Sequence, residues 1–244
     1  FGGGMGYTVV ETANVTINDC TKILCVAGGG FNGNITIWND SDKKYNNNEY
    51  GINSSFPTSN NDISKAFYNV TNDTTVTINN GTVVYALGGG RLGYTYVDNA
   101  TLITKGGTFD EIIAGGMNGY TGTANLTVNA SAGKSIKAGL ISSGNRGQVS
   151  TANVDVLNLG GSSGKANLIA IGSLTLTTST DGGPNTIFDE INFNISKDVK
   201  VDKIYLGGAV WGKTDSSGNT VTNPWSERTD SLASATITIN APEH

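Results

Sequence analysis

The chain has 244 residues, among them 34 Gly, 4 Pro, 2 Cys and one His, and only 14% of its residues are charged. The single His is the last residue, which excludes a His-based triad, a proton shuttle or a zinc site. The formal net charge of −5 argues against a nucleic-acid partner, and the apolar fraction of 37% indicates a thin core.

The sequence shows neither a membrane-spanning segment nor a targeting segment. No run of about 18 apolar residues occurs, so we expect no direct membrane insertion. There is also no charged start followed by an apolar stretch and a cleavage site. The opening Phe1-Gly2-Gly3-Gly4 is typical of a mature product or an excised fragment.

The two cysteines, Cys20 and Cys25, are five residues apart. An isolated close pair in a chain rich in Thr, Asn and Gly predicts one small-loop disulfide and an oxidising compartment. The alternative is a pair of buried free thiols. We expect no metal and no cofactor, because this spacing without His or a second cysteine pair makes a poor zinc site.

An internal repeat organises the chain. Units that resemble Ala-Asn-Val-Thr-Ile precede Gly-rich segments, and fifteen residues separate the first residue of a unit from its Gly in four cases. The pairs are Ala13 and Gly28, Thr74 and Gly89, Ala100 and Gly115, and Ala124 and Gly139. The units start 61, 26, 24 and 28 residues apart, up to the unit at Ala152. The period is therefore about 24–28 residues, with one large excess near the start.

Each unit predicts two short strands. In the first strand apolar residues alternate with Thr or Asn, as in a half-buried strand. These segments are 13–17, 74–78, 100–102, 124–128 and 152–154, with degenerate copies at 193–195 and 236–239. The second strand leads towards the Gly segment, at 23–26, 83–87, 111–114 and 203–206. Asn79-Asn80-Gly81 is also compatible with a hairpin turn, so antiparallel pairing inside a unit stays open.

This repeat favours an all-β, parallel β-solenoid that forms a single domain over residues 1–244. A unit of about 25 residues cannot bury its own apolar face, so units must stack and each adds one row of Val, Ile or Leu to a shared interior. About seven rungs at a spacing of about 4.8 Å would give a rod of about 35 Å. The alternative is an antiparallel β-sandwich, which would not require a constant interval.

Residues 75–90, TVTINNGTVVYALGGG, and the unit at 13–17 that leads to Gly28-Gly29-Gly30 carry a family resemblance. They are similar to the Gly-rich rungs of autotransporter passenger domains and related bacterial surface adhesins. The resemblance implies a right-handed parallel β-helix (β-solenoid) that is secreted, displayed on the bacterial cell surface, and active in cell adhesion and virulence. It also implies that the chain is an excised passenger or part of a larger surface protein.

Two stretches interrupt the repeat, at about 38–70 and 211–229, and they contain every tryptophan of the chain. Insertions on a solenoid form loops, often on the binding face, and exposed aromatic side chains offer flat contact area to sugars or proteins. The candidate ligand-binding residues are Trp38, Tyr45, Tyr50, Trp211 and Trp225. The alternative is that these aromatic side chains fold back and cover an end or a side of the solenoid.

Other chemistry has weaker support in the sequence. Two Phe-Asp-Glu-Ile segments, at 109–112 and 188–191, recur at a related place, but adjacent strand residues point to opposite faces, so we expect solvated turns. The segment NDSD at 39–42 begins like a calcium loop, but Lys44 and Tyr45 stand where a ligand and Gly are needed. We therefore expect neither a catalytic site nor a metal site.

The sequence as a whole predicts a non-enzymatic, extracellular adhesin or display stalk on a bacterial cell surface. Its expected partner is a glycan or protein on a host surface or on a neighbouring cell. The alternative function is a polysaccharide-acting enzyme, or a carbohydrate-binding module, on the same β-helix scaffold. An enzyme would need carboxylates, Arg or Lys that converge on one groove, whereas an adhesin needs only exposed aromatic and polar surface.

Overall fold

The structure is a computed structural model that describes residues 1–4, 8–31, 37–39, 44–46, 69–91, 95–175, 187–197, 199–205, 209–210 and 231–240. Within these ranges every regular element is a β-strand, and most strands pair in parallel. The β-branched residues Thr, Val and Ile dominate the strands, as expected for a pleated and half-buried surface. The predicted all-β class is confirmed.

Two parallel sheets of seven and six strands build the fold. Sheet A contains β1 (Thr8–Ile17), β5 (Asn69–Ile78), β7 (Thr95–Thr104), β9 (Met117–Asn129), β10 (Ile136–Asn158), β12 (Ile187–Ile195) and β15 (Ser231–Ile239). Sheet B contains β2 (Ile23–Ala27), β6 (Thr82–Leu87), β8 (Gly107–Ile113), β10, β11 (Lys165–Thr175) and β13 (Val201–Tyr205). Three short strands are β3 (Ile37–Asn39), β4 (Lys44–Asn46) and β14 (Ala209–Val210).

Each rung is one strand of sheet A followed by one strand of sheet B, which is the arrangement of a parallel β-solenoid. The long strand β10 belongs to both sheets, because its first part pairs with β8 and its second part pairs with β9. Between the end of each sheet B strand and the next strand of sheet A, neighbouring rungs are joined by isolated parallel bridges, from Phe31 to Arg91 and from Arg91 to Met117. The two sheets therefore do not close into a full ring. The predicted solenoid is confirmed, and its right-handed sense stays a prediction.

The repeat units stack in register along sheet A. Ala13 pairs with Thr74, and the same column continues through the corresponding residues of the later rungs, Ala100, Ala124, Ala152, Ile191 and Ala235. The next interior column consists of Val15, Val76, Leu102, Leu126, Val154, Phe193 and Ile237. Val76, Leu102 and Leu126 are fully buried, whereas Val15 and Ile17 are half-buried, because β1 has a described neighbour on one side only.

The fifteen-residue interval of the repeat has structural meaning in only part of the chain. Gly89 and Gly115 do align, since the amide of Gly89 donates to the carbonyl of Gly115 at 3.0 Å. The amide of Gly28 instead donates to the carbonyl of Leu87, so Gly28 corresponds to Gly88. Gly139 lies within β10, because the turn before that strand is longer. The constant interval identifies the repeat in the sequence, but the length of the turn between the two strands of a rung varies from rung to rung.

Antiparallel pairing inside a unit is excluded for the described rungs. The strands on either side of Asn79-Asn80-Gly81 belong to different sheets, and β5 and β6 each pair in parallel with strands of neighbouring rungs. The antiparallel sandwich is therefore wrong. Among the described strands, β3 and β4 form the antiparallel pair.

Candidate functional site

The two corners of the solenoid differ in length. The short corner joins sheet A to sheet B within a rung, and its turns contain six residues at most; they are 18–22, 79–81, 105–106, 130–135, 159–164 and 196–200. The long corner joins sheet B to sheet A of the next rung, through 28–68, 88–94, 114–116, 176–186 and 206–230. Three of these connections exceed ten residues, so every long excursion leaves the solenoid at one corner.

Two of the three excursions are those that the sequence predicts. The chain leaves the first rung after Phe31 and re-enters sheet A at Asn69, so the first insertion ends just before β5 and not at Val70. The second lies between β13 and β15, and the third, 176–186, was not predicted. All three excursions therefore connect a strand of sheet B to the next strand of sheet A.

The structure locates two of the five candidate aromatic residues. Trp38 lies in β3 and Tyr45 in β4, and they are directly opposite each other in the antiparallel pair. This hairpin interrupts the first excursion. Tyr50, Trp211 and Trp225 lie outside the described residues, so their role in binding stays a prediction. The suggested calcium segment at 39–42 also falls largely outside them.

The outer face of sheet A carries ladders of polar side chains. Asn153 donates to Asn125 and Asn192 donates to Asn153, each from Nδ2 to Oδ1 at 3.0 Å. In the next column Asn194 donates to Asp155 at 3.1 Å. Equivalent residues of successive rungs therefore satisfy each other, which leaves a flat and regular polar face.

An aromatic pair on the same face was missed by the sequence analysis. The rings of Tyr96 and Tyr120 stack with their centroids 4.8 Å apart and their planes inclined by 7°, and the Tyr120 hydroxyl lies 3.0 Å from Ser150 Oγ. Burial raises the pKa of Tyr96, and the nearby Asp98 raises it further. The signal was present in the repeat, because Tyr96 and Tyr120 are one unit apart, as are Ala100 and Ala124.

Both Phe-Asp-Glu-Ile segments mark a bend within a strand and are not turns. Phe109 and Ile112 in sheet B, like Phe188 and Ile191 in sheet A, belong to the interior cluster. The Asp-Glu pair between them therefore faces away from the interior in both segments. The expectation that these segments are solvated turns is wrong. The expectation that the Asp and the Glu of each pair point to opposite faces is also wrong. Asp189 and Glu190 are exposed at such a bend.

Glu111 is the exception among the bend residues, because it is only 2% exposed. It lies between Tyr85 and Leu140 in one column of sheet B, and Asn145 donates to its Oε2 at 3.4 Å. Burial raises the pKa of Glu111 to about 7; the Asn145 hydrogen bond opposes this shift and Asp110 adds to it. The site therefore holds one carboxyl group that titrates near neutral pH.

Cys20 and Cys25 are free thiols, so the predicted disulfide is wrong. Cys20 lies in the first short-corner turn, contacts the interior cluster and donates from Sγ to the Thr82 carbonyl at 3.5 Å. Cys25 packs with Tyr85 in a separate cluster, outside the solenoid interior. Cys20 lies in the turn before β2 and Cys25 lies within β2, so the two side chains pack in different environments. Burial raises the pKa of Cys25, although the nearby Arg91 lowers it.

Neither a metal centre nor a membrane helix is found in the part of the chain that the structure describes. No three His, Cys, Asp or Glu side chains there come together in a way that could hold a metal ion. The same residues include no helix with the length and hydropathy needed to cross a bilayer. We compared the chain with protein-family models, with curated proteins and with solved structures, and none of these comparisons gave a match.

Proposed function

We propose that this protein is a non-enzymatic, extracellular domain of a bacterial cell surface, which acts as an adhesin or a display stalk. Its partner is a glycan or protein on a host surface or on a neighbouring cell. The observation that carries the proposal is the position of the three long excursions, which leave the rungs at the long corner only. Loops on one side of a rigid scaffold are the usual place for recognition residues.

Two further features support a binding role. The excursions contain all three tryptophans of the chain, and aromatic residues are the side chains that most often anchor an interface. The stacked rungs and the Asn ladders hold the outer face of sheet A in a regular array. Because the rungs are already ordered, binding through the loops does not require the rungs to lose further conformational entropy.

The proposal is tested by binding and stability measurements on the same variants. We would screen the protein against a glycan array and a panel of extracellular-matrix proteins, and then compare Trp225→Ala, Trp225→Phe and Leu24→Ala on the best ligand. Leu24 is the matched control, because it is an exposed apolar residue in sheet B and not at the long corner. Trp225→Ala should weaken binding by about 1–2 kcal/mol with little change in melting temperature, and Trp225→Phe should restore part of the loss.

A different outcome of the same measurements would contradict the proposal. If Trp225→Ala lowers the melting temperature strongly and leaves the affinity unchanged, the tryptophan covers the solenoid and does not contact a ligand. Leu24→Ala should change the binding free energy and the free energy of unfolding by no more than about 0.5 kcal/mol each, as is usual for exposed sites.

The enzyme alternative is tested separately. A glycosidase needs two carboxyl groups about 5–10 Å apart across a groove, and the carboxyl with a raised pKa here, Glu111, is hydrogen-bonded to an amide. We expect no lyase or hydrolase turnover on acidic or neutral polysaccharides. Turnover that disappears in Asp110→Ala, Glu111→Gln or Asp189→Ala would overturn the non-enzymatic proposal.

A further inference from the structure

In the described rungs the lysines lie in the short corner and in sheet B, together with four acids, Asp19, Asp110, Glu111 and Asp202, whereas sheet A carries more acids than bases. The strands of sheet A carry six carboxylates and one Arg but no Lys; the acids are Glu11, Asp73, Asp98, Asp155, Asp189 and Glu190. Eight lysines lie in the short corner and in the strands of sheet B, namely Lys22, Lys105, Lys134, Lys137, Lys165, Lys197, Lys200 and Lys203. We call these eight residues the lysine edge.

The lysine edge follows the long axis of the rod. Its residues come from the first rung and from the third to the sixth, and successive rungs lie about 4.8 Å apart, so the edge extends over about 24 Å. Seven of the eight lysines are exposed, and Lys105 is half-buried.

Three of these amines make weak contacts inside the protein. Lys134 Nζ donates to the Asn79 carbonyl at 3.2 Å, and Lys200 Nζ donates to the Gly161 carbonyl at 3.4 Å. Lys165 forms an ion pair with Asp202 at 2.7 Å, but both side chains are about half exposed. An exposed pair of this kind stabilises a protein by about 0–1 kcal/mol, so little is lost when an external anion replaces the partner.

The short corner also offers neutral hydrogen-bonding groups beside the lysines. Asn79 donates to the Asn18 amide oxygen at 3.0 Å, so these amides of adjacent rungs are aligned along the corner, and Asn80 donates to the Asp19 carboxylate at 3.1 Å. Amide groups can bind the hydroxyl groups of a sugar, and lysine can bind a carboxylate or sulfate as a flexible point charge. The edge thus combines both kinds of group that an acidic sugar chain requires.

We propose that the lysine edge binds a linear acidic polysaccharide that lies along the rod axis. A single extended chain with repeated negative charges matches a narrow row of lysines, whereas a wide polyanion would also meet the acidic outer face of sheet A. The net charge of −5 and this acidic face disfavour a nucleic-acid duplex. The proposal goes beyond the adhesin function, because it concerns the short-corner turns and sheet B and not the tryptophan-bearing connections from sheet B to sheet A.

The experiment measures binding to immobilised heparin and to polygalacturonate, with neutral dextran as the control ligand. The test variant combines Lys134→Gln, Lys137→Gln and Lys200→Gln, which are all exposed and remove three charges from the edge. The matched control combines Glu11→Gln, Asp73→Asn and Asp98→Asn, which removes three charges from the opposite side. We expect affinity for at least one acidic polysaccharide to fall about tenfold or more in the lysine variant and to stay equal or rise in the control.

The salt dependence separates a charge effect from damage to the fold. Wild-type affinity should fall as salt rises from low to physiological concentration, and this slope should be smaller in the lysine variant. The far-UV circular dichroism and the melting temperature of the lysine variant should equal those of the wild type. Trp225→Ala should leave this binding unchanged, so failure of the adhesin proposal and failure of the present one can be told apart.

Four outcomes would overturn the proposal. They are binding to neither acidic polysaccharide, equal binding to dextran, an unchanged affinity in the lysine variant, and equal or tighter binding to a DNA duplex of the same charge. The last outcome would identify the edge as a general polyanion surface and not as a polysaccharide site.

Discussion

The short and the long corner connect the same two sheets, yet one is nearly uniform and the other is not. Turns of the short corner contain two to six residues, whereas connections of the long corner range from three residues to 41. The connections longer than ten residues therefore all run from a strand of sheet B to a strand of sheet A. The contrast indicates that the short corner is part of the stacked structure and that the long corner is where the chain can vary.

Hydrogen bonds between rungs hold the turns of the short corner in place. At the short corner the ladder continues through the turns, since the Asn79 amide donates to the Ile17 carbonyl and the Lys105 amide donates to the Ile78 carbonyl, both at 2.8 Å. Similar bonds run from Thr82 to Cys20 and from Thr108 to Gly81. A residue inserted there would interrupt bonds to the rungs above and below. At the long corner the ladder also continues next to the strands, since the Gly28 amide donates to the Leu87 carbonyl and the Gly89 amide to the Gly115 carbonyl, so an insertion can be tolerated only beyond these bonds.

The largest expected effect comes from Gly81→Ala at the short corner. Gly81 has a φ of +116°, which L side chains rarely adopt, and an added Cβ would lie 2.7 Å from the Cys20 amide nitrogen. We expect the free energy of unfolding to fall by about 3–4 kcal/mol, as the sum of backbone strain and a backbone clash. Urea denaturation followed by circular dichroism measures the change.

The matched control is Gly133→Ala in the turn of the fourth rung. Gly133 has a φ of +75°, but no atom lies within 4 Å of the position of an added Cβ. This variant should therefore lose only the strain, about 1–2 kcal/mol. Equal losses in the two variants would show that stacking between the turns does not hold the short corner in place.

The second prediction concerns Glu111, whose partner Asn145 lies where sheet B passes into sheet A at the long-corner side. The pKa of Glu111 is raised from 4.5 to about 7 in the folded protein, so the folded state binds the proton more tightly than the unfolded state. Below pH 4.5 the carboxyl is mostly protonated in both the folded and the unfolded state, so its titration does not lower the free energy of unfolding. The free energy of unfolding falls as the pH rises from 4.5 through about 7. Above pH 7 the loss is about 3 kcal/mol, because one pKa unit corresponds to about 1.4 kcal/mol.

Glu111→Gln removes this titration and keeps a similar shape. The variant should be more stable than the wild type at pH 8 and should not exceed it at pH 4, as measured by thermal unfolding across this range. Asp110→Asn is the control, because Asp110 is exposed and adjacent in sequence. If Glu111→Gln shows the same pH profile as the wild type, the carboxyl does not stay buried.

The third prediction tests the corners directly by insertion. Ten Gly and Ser residues placed between Asn80 and Gly81 should lower the free energy of unfolding by about 2 kcal/mol, because the turn loses its bonds to Cys20 and to Thr108. The same ten residues placed between Ser216 and Ser217 should cost about 0.5 kcal/mol, since lengthening an existing long loop adds little closure entropy. Comparable losses at the two sites would remove the distinction between the corners.

The sequence predicts the stacking well but the sites poorly, and the reason is physical. Alternation of apolar and polar residues reports which face of a strand is buried, so the interior columns at Val76 and Leu102 could be predicted. A bend within the longer strands shifts this alternation by one residue, which is why Glu111 was taken for a solvated residue. The pKa of the Cys25 thiol depends partly on Arg91, which belongs to another rung and could not be placed beside Cys25 from the sequence.

Charge separation was accessible in principle but needed the register. Once the rungs are aligned, the eight lysines fall in the short-corner turns and in sheet B, whereas six carboxylates fall in sheet A and four, Asp19, Asp110, Glu111 and Asp202, fall on the lysine side. A repeat period alone does not show this, because turns of two to six residues move each lysine relative to the strand before it.

The smallest expected effect lies between the two corners, on the Asn ladder of sheet A. Asn153 donates to Asn125 and accepts from Asn192, so Asn153→Ala removes two hydrogen bonds and leaves two amides to be satisfied by water. Because these side chains are only half-buried, we expect a loss of about 1 kcal/mol in the free energy of unfolding. Thr127→Ala, on the same face and outside this ladder, should lose less than about 0.5 kcal/mol. Equal losses would mean that the ladder adds nothing to the stacked strands, and the regularity of the outer face would then depend on the interior columns alone.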